Sequence, residues 1–87
     1  MKINKVAKAG TLESNDILII VIPSKHNGIE LRLESIVMRH FGEQIERVIM
    51  DKVKEMELEN VIISAQDKGA LDYTIKARLE TAVMRAI

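Results

Sequence analysis

One serine in this chain lies where a side chain could take part in chemistry. Ser14 falls in the polar segment Gly10–Asp16, directly before the most apolar run of the sequence, Ile17–Ile22. Glycine and asparagine suit such a segment because they tolerate left-handed backbone angles, and Asn and Asp bond to nearby backbone. The pattern predicts a serine hydroxyl that is held in a turn and open to solvent, as a covalent attachment point requires.

The neighbours of Ser14 do not provide what a catalytic serine needs. A nucleophilic serine requires a general base within hydrogen-bond reach and donors for an oxyanion, whereas Glu13, Asn15 and Asp16 surround this one. No histidine is close in sequence, and no nucleophile-elbow glycine pattern is present. We therefore expect Ser14 to be acted upon. A hydrolase that uses Ser14, and a serine that merely shapes the loop, are the alternatives.

Composition limits the classes of function. The 87 residues suffice for one domain with a single core, residues 1–87, but not for an elaborate enclosed active site. There are 13 Lys and Arg residues and 13 Asp and Glu residues, and no basic cluster is dense enough to follow a phosphate backbone. Only Phe41 and Tyr73 are aromatic, so the base-stacking platforms that single-strand nucleic-acid binders use are absent. We expect a non-catalytic module that does not bind nucleic acid.

Several residue types also indicate where the protein works. The chain has no cysteine, which excludes disulfides and thiolate metal sites and fits a reducing compartment. Met1–Lys5 lacks the apolar stretch of a signal peptide, and Ile17–Ile22 is too short to cross a bilayer. His26 and His40 have no other ligand types at zinc-like spacing. The expectation is a cytoplasmic protein with no metal and no membrane association.

Apolar patterning predicts three strands in the first part of the chain. Ile3–Ala9 forms the first, and Ile17–Ile22, which does not alternate, is predicted to be a central strand that is buried on both faces or nearly so and ends at Pro23. Ser24–Gly28 contains an Asn-Gly pair that predicts a tight hairpin. Apolar and charged residues then alternate over Ile29–Glu34, which predicts a third strand paired with the second.

The rest of the chain predicts two helices around a fourth strand. A period near 3.6 indicates a long amphipathic helix that begins between Ser35, a candidate cap, and Gly42, which disfavours the first turns. Its apolar stripe comprises Val37, Phe41, Ile45, Val48, Ile49, Val53 and Met56. Asn60–Gln66 predicts the fourth strand, and residues 72–78 either open the second helix or form another strand. The buried face of that helix comprises Leu71, Ile75, Leu79, Ala82, Val83 and Ala86.

These elements predict an α+β fold. The order β-β-β-α-β-α gives a two-layer sandwich in which a mostly antiparallel four-stranded sheet carries two helices on one face. Amphipathic helices each have one apolar stripe to bury, and one face of a sheet can accept both.

Three sequence blocks carry a resemblance to a known family. The blocks are Ala9–Asp16, Asp67–Asp72 and Ala77–Glu80. Together they closely resemble the acyl carrier protein, or gamma subunit, of citrate lyase, over essentially the whole chain. The resemblance implies that Ser14 carries a covalent phosphoribosyl-dephospho-CoA group through a phosphodiester. Glu13 and Asp16 would then either be recognised by the transferase that attaches the group or cap the turn.

The resemblance also implies partners. The alpha subunit of the lyase would exchange the carrier's acetyl group for citrate, and the beta subunit would cleave the citryl thioester to oxaloacetate. The carrier would catalyse neither step. The alternatives are the related carrier of malonate decarboxylase and a small α+β interaction or regulatory domain without a covalent cofactor. The context of Ser14 and the Asp67–Asp72 block favour the citrate lyase family.

Overall fold

The computed structural model describes residues 1–87 and contains four strands and two helices. The strands are β1 (Ala7–Ala9), β2 (Ile17–Pro23), β3 (Ile29–Ser35) and β4 (Val61–Asp67), and the helices are α1 (Met38–Glu55) and α2 (Asp72–Arg85). The predicted order β-β-β-α-β-α and the α+β class are confirmed. Residues 72–78 are helical, which resolves the alternative that the sequence left open.

β1 is shorter than the strand predicted over Ile3–Ala9. The backbone N–H groups of Asn4 and Lys5 donate to the carbonyl of Ala86, just beyond the end of α2, rather than to a neighbouring strand. Ile3 is nevertheless buried in the core. The first residues therefore cover the end of a helix, and only three residues join the sheet.

The sheet has the order β1-β2-β4-β3, so the predicted pairing of β3 with β2 is wrong. β2 runs antiparallel to both β1 and β4, whereas β3 and β4 are parallel. The chain does reverse at Ser24–Gly28, but the reversal is open rather than tight. Ser24 N–H donates to the Asn60 carbonyl and Gly28 N–H to Asn60 Oδ1, so the residue that precedes β4 lies between the two strands. α1 then supplies the crossover that a parallel pair needs.

The helices cover one face of the sheet, as predicted. Alternate residues of β2 and β4 are fully buried beneath them: Ile17, Ile19, Val21, Val61, Ile63 and Ala65. On the other face, Leu18, Ile20 and Ile22 are only half-buried. The run is therefore fully buried on the face under the helices and partly buried on the other, because no element packs against that side. The apolar run still lies in an interior strand, since β2 has a neighbour on each side.

The helices bury most, but not all, of the apolar residues predicted for their buried faces. α1 begins at Met38, and Ser35 does not cap it directly: its hydroxyl accepts a hydrogen bond from the N–H of Val37, the residue immediately before the helix. Most of the predicted helix faces are buried in the core: Ile45, Val48, Ile49 and Val53 on α1, and Ile75, Leu79, Ala82 and Val83 on α2. Phe41 and Leu71 were predicted to be buried with them, but they are 51% and 59% exposed. Both lie at the first turns of their helices, beyond the end of the sheet.

Candidate functional site

Ser14 lies in the turn between β1 and β2, and its side chain is exposed. None of the hydrogen bonds within the turn uses its hydroxyl. Two neighbours set the path of the backbone: Gly10 has a φ of +93° and Asn15 a φ of +66°. A Cβ added to Gly10 would lie 1.8 Å from the Ile17 carbonyl oxygen, so only glycine fits there. The serine is thus displayed by a turn of defined geometry.

Asp16 is the group that holds this turn together. Its carboxylate accepts hydrogen bonds from Thr11 Oγ1 at 2.8 Å and from its neighbour Ile17 N–H at 2.7 Å. Arg78 of α2 donates from Nε at 2.9 Å and from Nη2 at 3.1 Å, one bond to each carboxylate oxygen. The hydrogen bond from Arg78, together with those from Thr11 and Ile17, lowers the pKa of Asp16 from 3.8 to about 2. Asp16 is therefore charged at neutral pH and fixed in place.

Arg78 is a site residue that sequence reasoning missed. It lies 62 residues from Asp16, so no local pattern connects them. Its guanidinium matches a carboxylate in two-point geometry, which fixes orientation as well as distance. The sequence did point to Arg78 in one way: it lies in the Ala77–Glu80 block, which carries part of the family resemblance but to which no role was assigned.

The Asp67–Asp72 block forms the second wall of the site. Asn15 N–H donates to the Lys68 carbonyl and Lys68 N–H donates to the Asp16 carbonyl, both at 2.8 Å. Two backbone hydrogen bonds therefore connect the Ser14 turn to the loop after β4. Asp67 is only 2% exposed. Its carboxylate accepts hydrogen bonds from the Ser35 hydroxyl at 2.7 Å and from the backbone N–H groups of residues 69 and 70. The fold thus brings together all three blocks of the resemblance.

The two carboxylates that flank Ser14 differ in their contacts. Glu13 donates its backbone N–H to Thr11 Oγ1, but its exposed carboxylate takes part in none of the hydrogen bonds or ion pairs of the turn. The carboxylate of Asp16 is occupied by Arg78 and Thr11. Of the two, Glu13 is the one free to meet another protein. A role of either residue in recognition stays a prediction.

The end of the molecule that carries Ser14 is also where both helices begin. Ser35 and Asp67, the last residues of β3 and β4, are paired next to Ile17, the first residue of β2. α1 and α2 start three and five residues after those strand ends. Helix N-termini carry partial positive charge. This end of the molecule therefore combines the exposed Ser14 with two helix N-termini.

The remaining sequence candidates do not converge on the site. His26 and His40 are exposed and lie on separate elements. No group of three or more His, Cys, Asp or Glu side chains is arranged to hold a metal ion. Neither helix has the length and hydropathy that crossing a membrane would require.

Comparison with known proteins identifies the family. The citrate lyase acyl carrier protein of Halothermothrix orenii is 51% identical over 99% of this chain and 90% of its own length. That of Latilactobacillus sakei is 47% identical over the whole chain and 85% of the relative. This chain belongs to the citrate lyase acyl carrier protein family. The resemblance carried by the three blocks is confirmed.

Two further comparisons place this carrier among its relatives. A family model described as malonate decarboxylase delta subunit (MdcD) matches residues 4–86. A chain from the crystal structure of a Pseudomonas malonate decarboxylase hetero-tetramer in complex with malonate has the same fold, with a TM-score of 0.83. The alignment covers 97% of this carrier and 86% of that chain at 15% identity, so it concerns the fold alone.

Proposed function

We propose that this chain serves citrate lyase as its acyl carrier subunit, with phosphoribosyl-dephospho-CoA attached to Ser14 through a phosphodiester. The observation that carries the proposal is the display of one unengaged serine hydroxyl on a turn fixed by Asp16 and Arg78. The names of its relatives support the acyl carrier role. Residues 1–87 would act as a single carrier domain in the cytoplasm.

The residues around Ser14 fit an anionic attachment. A phosphodiester adds negative charge beside Glu13 and Asp16, and like charges repel unless they are screened. Arg78 neutralises Asp16, which leaves Glu13 as the only uncompensated charge of the pair. We propose that the attaching transferase contacts and recognises Glu13. Asp16 assists by holding the loop in the shape that the transferase recognises.

The chemistry comes from the prosthetic group, whose thiol holds acyl groups as thioesters. The protein contributes position: a tether keeps a bound acyl group near its partners at an effective concentration on the order of mM. The carrier would meet an alpha subunit that exchanges acetyl for citrate and a beta subunit that cleaves the citryl thioester. The carrier itself would supply no catalytic residue to either step.

Intact-mass measurement tests the attachment. The chain is produced together with an active prosthetic-group transferase, and the modified peptide is sequenced by mass spectrometry. We expect the mass of one prosthetic group on the peptide that contains Ser14, and no addition in Ser14→Ala. An unchanged mass in the presence of an active transferase would favour the small interaction domain without a covalent cofactor.

A second candidate is a carrier for malonate decarboxylase, which the description of the matching family model supports. The two carriers differ in the enzyme that accepts them. We expect the acetylated carrier to accept citrate from a citrate lyase alpha subunit, and not to accept malonate from a malonate decarboxylase transferase. Exchange with malonate alone would reverse the assignment.

A further inference from the structure

An open groove of about 400 Å³ lies between the first turns of α1 and α2. Its lining includes Val37, Phe41, Gln44, Ile45, Leu71 and Asp72. Phe41 and Leu71 are the two residues that helical periodicity predicts to be buried and that the fold leaves more than half exposed. The groove therefore exposes apolar side chains that no other part of this chain covers.

The groove is adjacent to the Ser14 turn. Gly69 and Ala70 form part of its lining, and Lys68, the preceding residue, exchanges backbone hydrogen bonds with Asn15 and Asp16. A large flexible group attached to Ser14 would therefore reach the groove by passing over the backbone of residues 68–70.

The side chains of the groove match a purine base better than a thiol arm or an acid. Phe41 and Gln44 are three residues apart on α1 and so lie on the same face of the helix. Phe41 offers an aromatic face for stacking. Gln44 donates its amide to Asp72, and its Oε1 is in no hydrogen bond; an amide or carboxylate oxygen can accept from an adenine amino group. Asp72 would repel the carboxylates of a citryl group.

We propose that this groove binds the adenine ring of the prosthetic group on Ser14 when the carrier is not engaged with a catalytic subunit. The inference rests on the proposed function, since it requires the group to be attached. Phe41 stacks on the ring, Leu71 closes the other side, and Gln44 and Asp72 accept from its amino group. The thiol end of the group stays in solution.

The test compares the unmodified and modified carrier in solution, without other subunits. Isotope-filtered NMR on labelled protein with an unlabelled prosthetic group detects contacts between the adenine H2 and H8 protons and the protein. We expect these contacts to Phe41 and Leu71, with shift changes at Ala70 and Gln44 as well as at the Ser14 turn. Phe41→Ala and Gln44→Ala should each weaken them.

Tyr73→Ala is the matched control, because Tyr73 is the other aromatic residue, is 72% exposed and is not part of the groove lining. It should leave the adenine contacts unchanged. Amide spectra of the unmodified variants verify that each is folded.

The outcomes separate the two proposals. Mass spectrometry that shows no modification at Ser14 overturns the proposed function and this inference with it. A modified carrier whose shift changes are confined to the Ser14 turn overturns only the groove. The same holds if Phe41 and Leu71 respond only when a catalytic subunit is added, which would assign the groove to docking.

Discussion

At the end of the sheet that carries Ser14, two carboxylates organise the loops, whereas at the opposite end one asparagine does. Asp16 and Asp67 accept hydrogen bonds from Arg78, Thr11, Ser35 and several backbone N–H groups. At the other end, Asn60 joins the Ser24–Gly28 loop to β4 through its carbonyl and its amide oxygen. Fixed loop geometry is therefore found where the proposed attachment point lies. It also makes the two ends respond differently to mutation and to acid.

The largest expected difference between the two ends of the sheet is in the stability cost of replacing two glycines that have nearly the same backbone angle. Gly10 and Gly28 have φ values of +93° and +94°, but a Cβ at Gly10 would lie 1.8 Å from a backbone oxygen and one at Gly28 would meet nothing within 4 Å. Gly28→Ala should cost only the left-handed backbone penalty, about 1–2 kcal/mol. Gly10→Ala adds a clash that requires the turn to move and should cost about 3 kcal/mol or more.

Urea denaturation of both variants measures the difference, with wild type as the reference. Equal losses would show that the Ser14 turn accommodates the methyl group as easily as the far loop does. That result would remove the rigidity on which the display of Ser14 depends.

Removing the buried carboxylate should have the next largest effect. Asp67→Ala leaves the partly buried Ser35 hydroxyl and two backbone N–H groups without their acceptor, which should cost about 2–3 kcal/mol. Asn60→Gly, at the other end, keeps a residue suited to φ +52° and loses one hydrogen bond, so about 1 kcal/mol is expected. Thermal unfolding of the two variants compares them, and a larger loss in Asn60→Gly would contradict the assignment.

Acid should loosen the Ser14 end through Asp16. The folded pKa of about 2 lies below the ordinary value of 3.8, so the stabilisation is complete above about pH 5 and is lost as pH falls through 3.8 towards 2. Because Arg78 is partly exposed, we expect a loss of about 1–2 kcal/mol. Urea denaturation between these pH values should show a weaker acid dependence in Asp16→Asn.

Glu55 provides the control for this measurement. Its pKa is also lowered, by the hydrogen bond from Lys52, but it lies on the exposed side of α1, away from the Ser14 turn. The protection of the Asn15 and Lys68 amides against hydrogen exchange, taken relative to the intrinsic rate at each pH, should fall in acid in Glu55→Gln as it does in wild type. A loss of protection that persists in Asp16→Asn would show that Asp16 is not its source.

The smallest change in stability is expected at Ser14, the proposed attachment point. Ser14→Ala removes an exposed hydroxyl that makes no hydrogen bond, so the free energy of unfolding should stay within about 0.5 kcal/mol of wild type. Denaturation of the unmodified proteins measures it. A larger loss would show that Ser14 has a structural role in the turn.

The elements of the fold followed from local patterns, but the pairing of the strands did not. Alternation in Ile29–Glu34 identified a strand, and the Asn-Gly pair identified a reversal. Neither pattern could show that Asn60, more than 30 residues later, occupies the space between the two strands. Register and neighbour choice depend on contacts between distant segments, which a periodicity does not contain.

The site was predicted in the same partial way. Turn chemistry and the family resemblance identified Ser14 and its flanking carboxylates. The ion pair of Asp16 with Arg78 joins positions 62 residues apart and becomes visible only when α2 packs on the sheet. Phe41 and Leu71 fit the apolar periodicity of their helices, yet they are exposed. A periodicity gives the side of a helix on which a residue lies, but not how far the covering layer extends.

The outer strand β3 bears on how the carrier behaves at high concentration. The unpaired backbone N–H and C=O groups of an edge strand can form hydrogen bonds with a strand of a second molecule. The antiparallel overlap that would pair all seven residues of β3 with another copy sets Arg32 opposite Arg32 and Glu30 opposite Glu34. Like charges in facing positions repel, so only shorter, shifted overlaps escape this repulsion. The charges of β3 thereby disfavour its full-length pairing with a second copy of the chain.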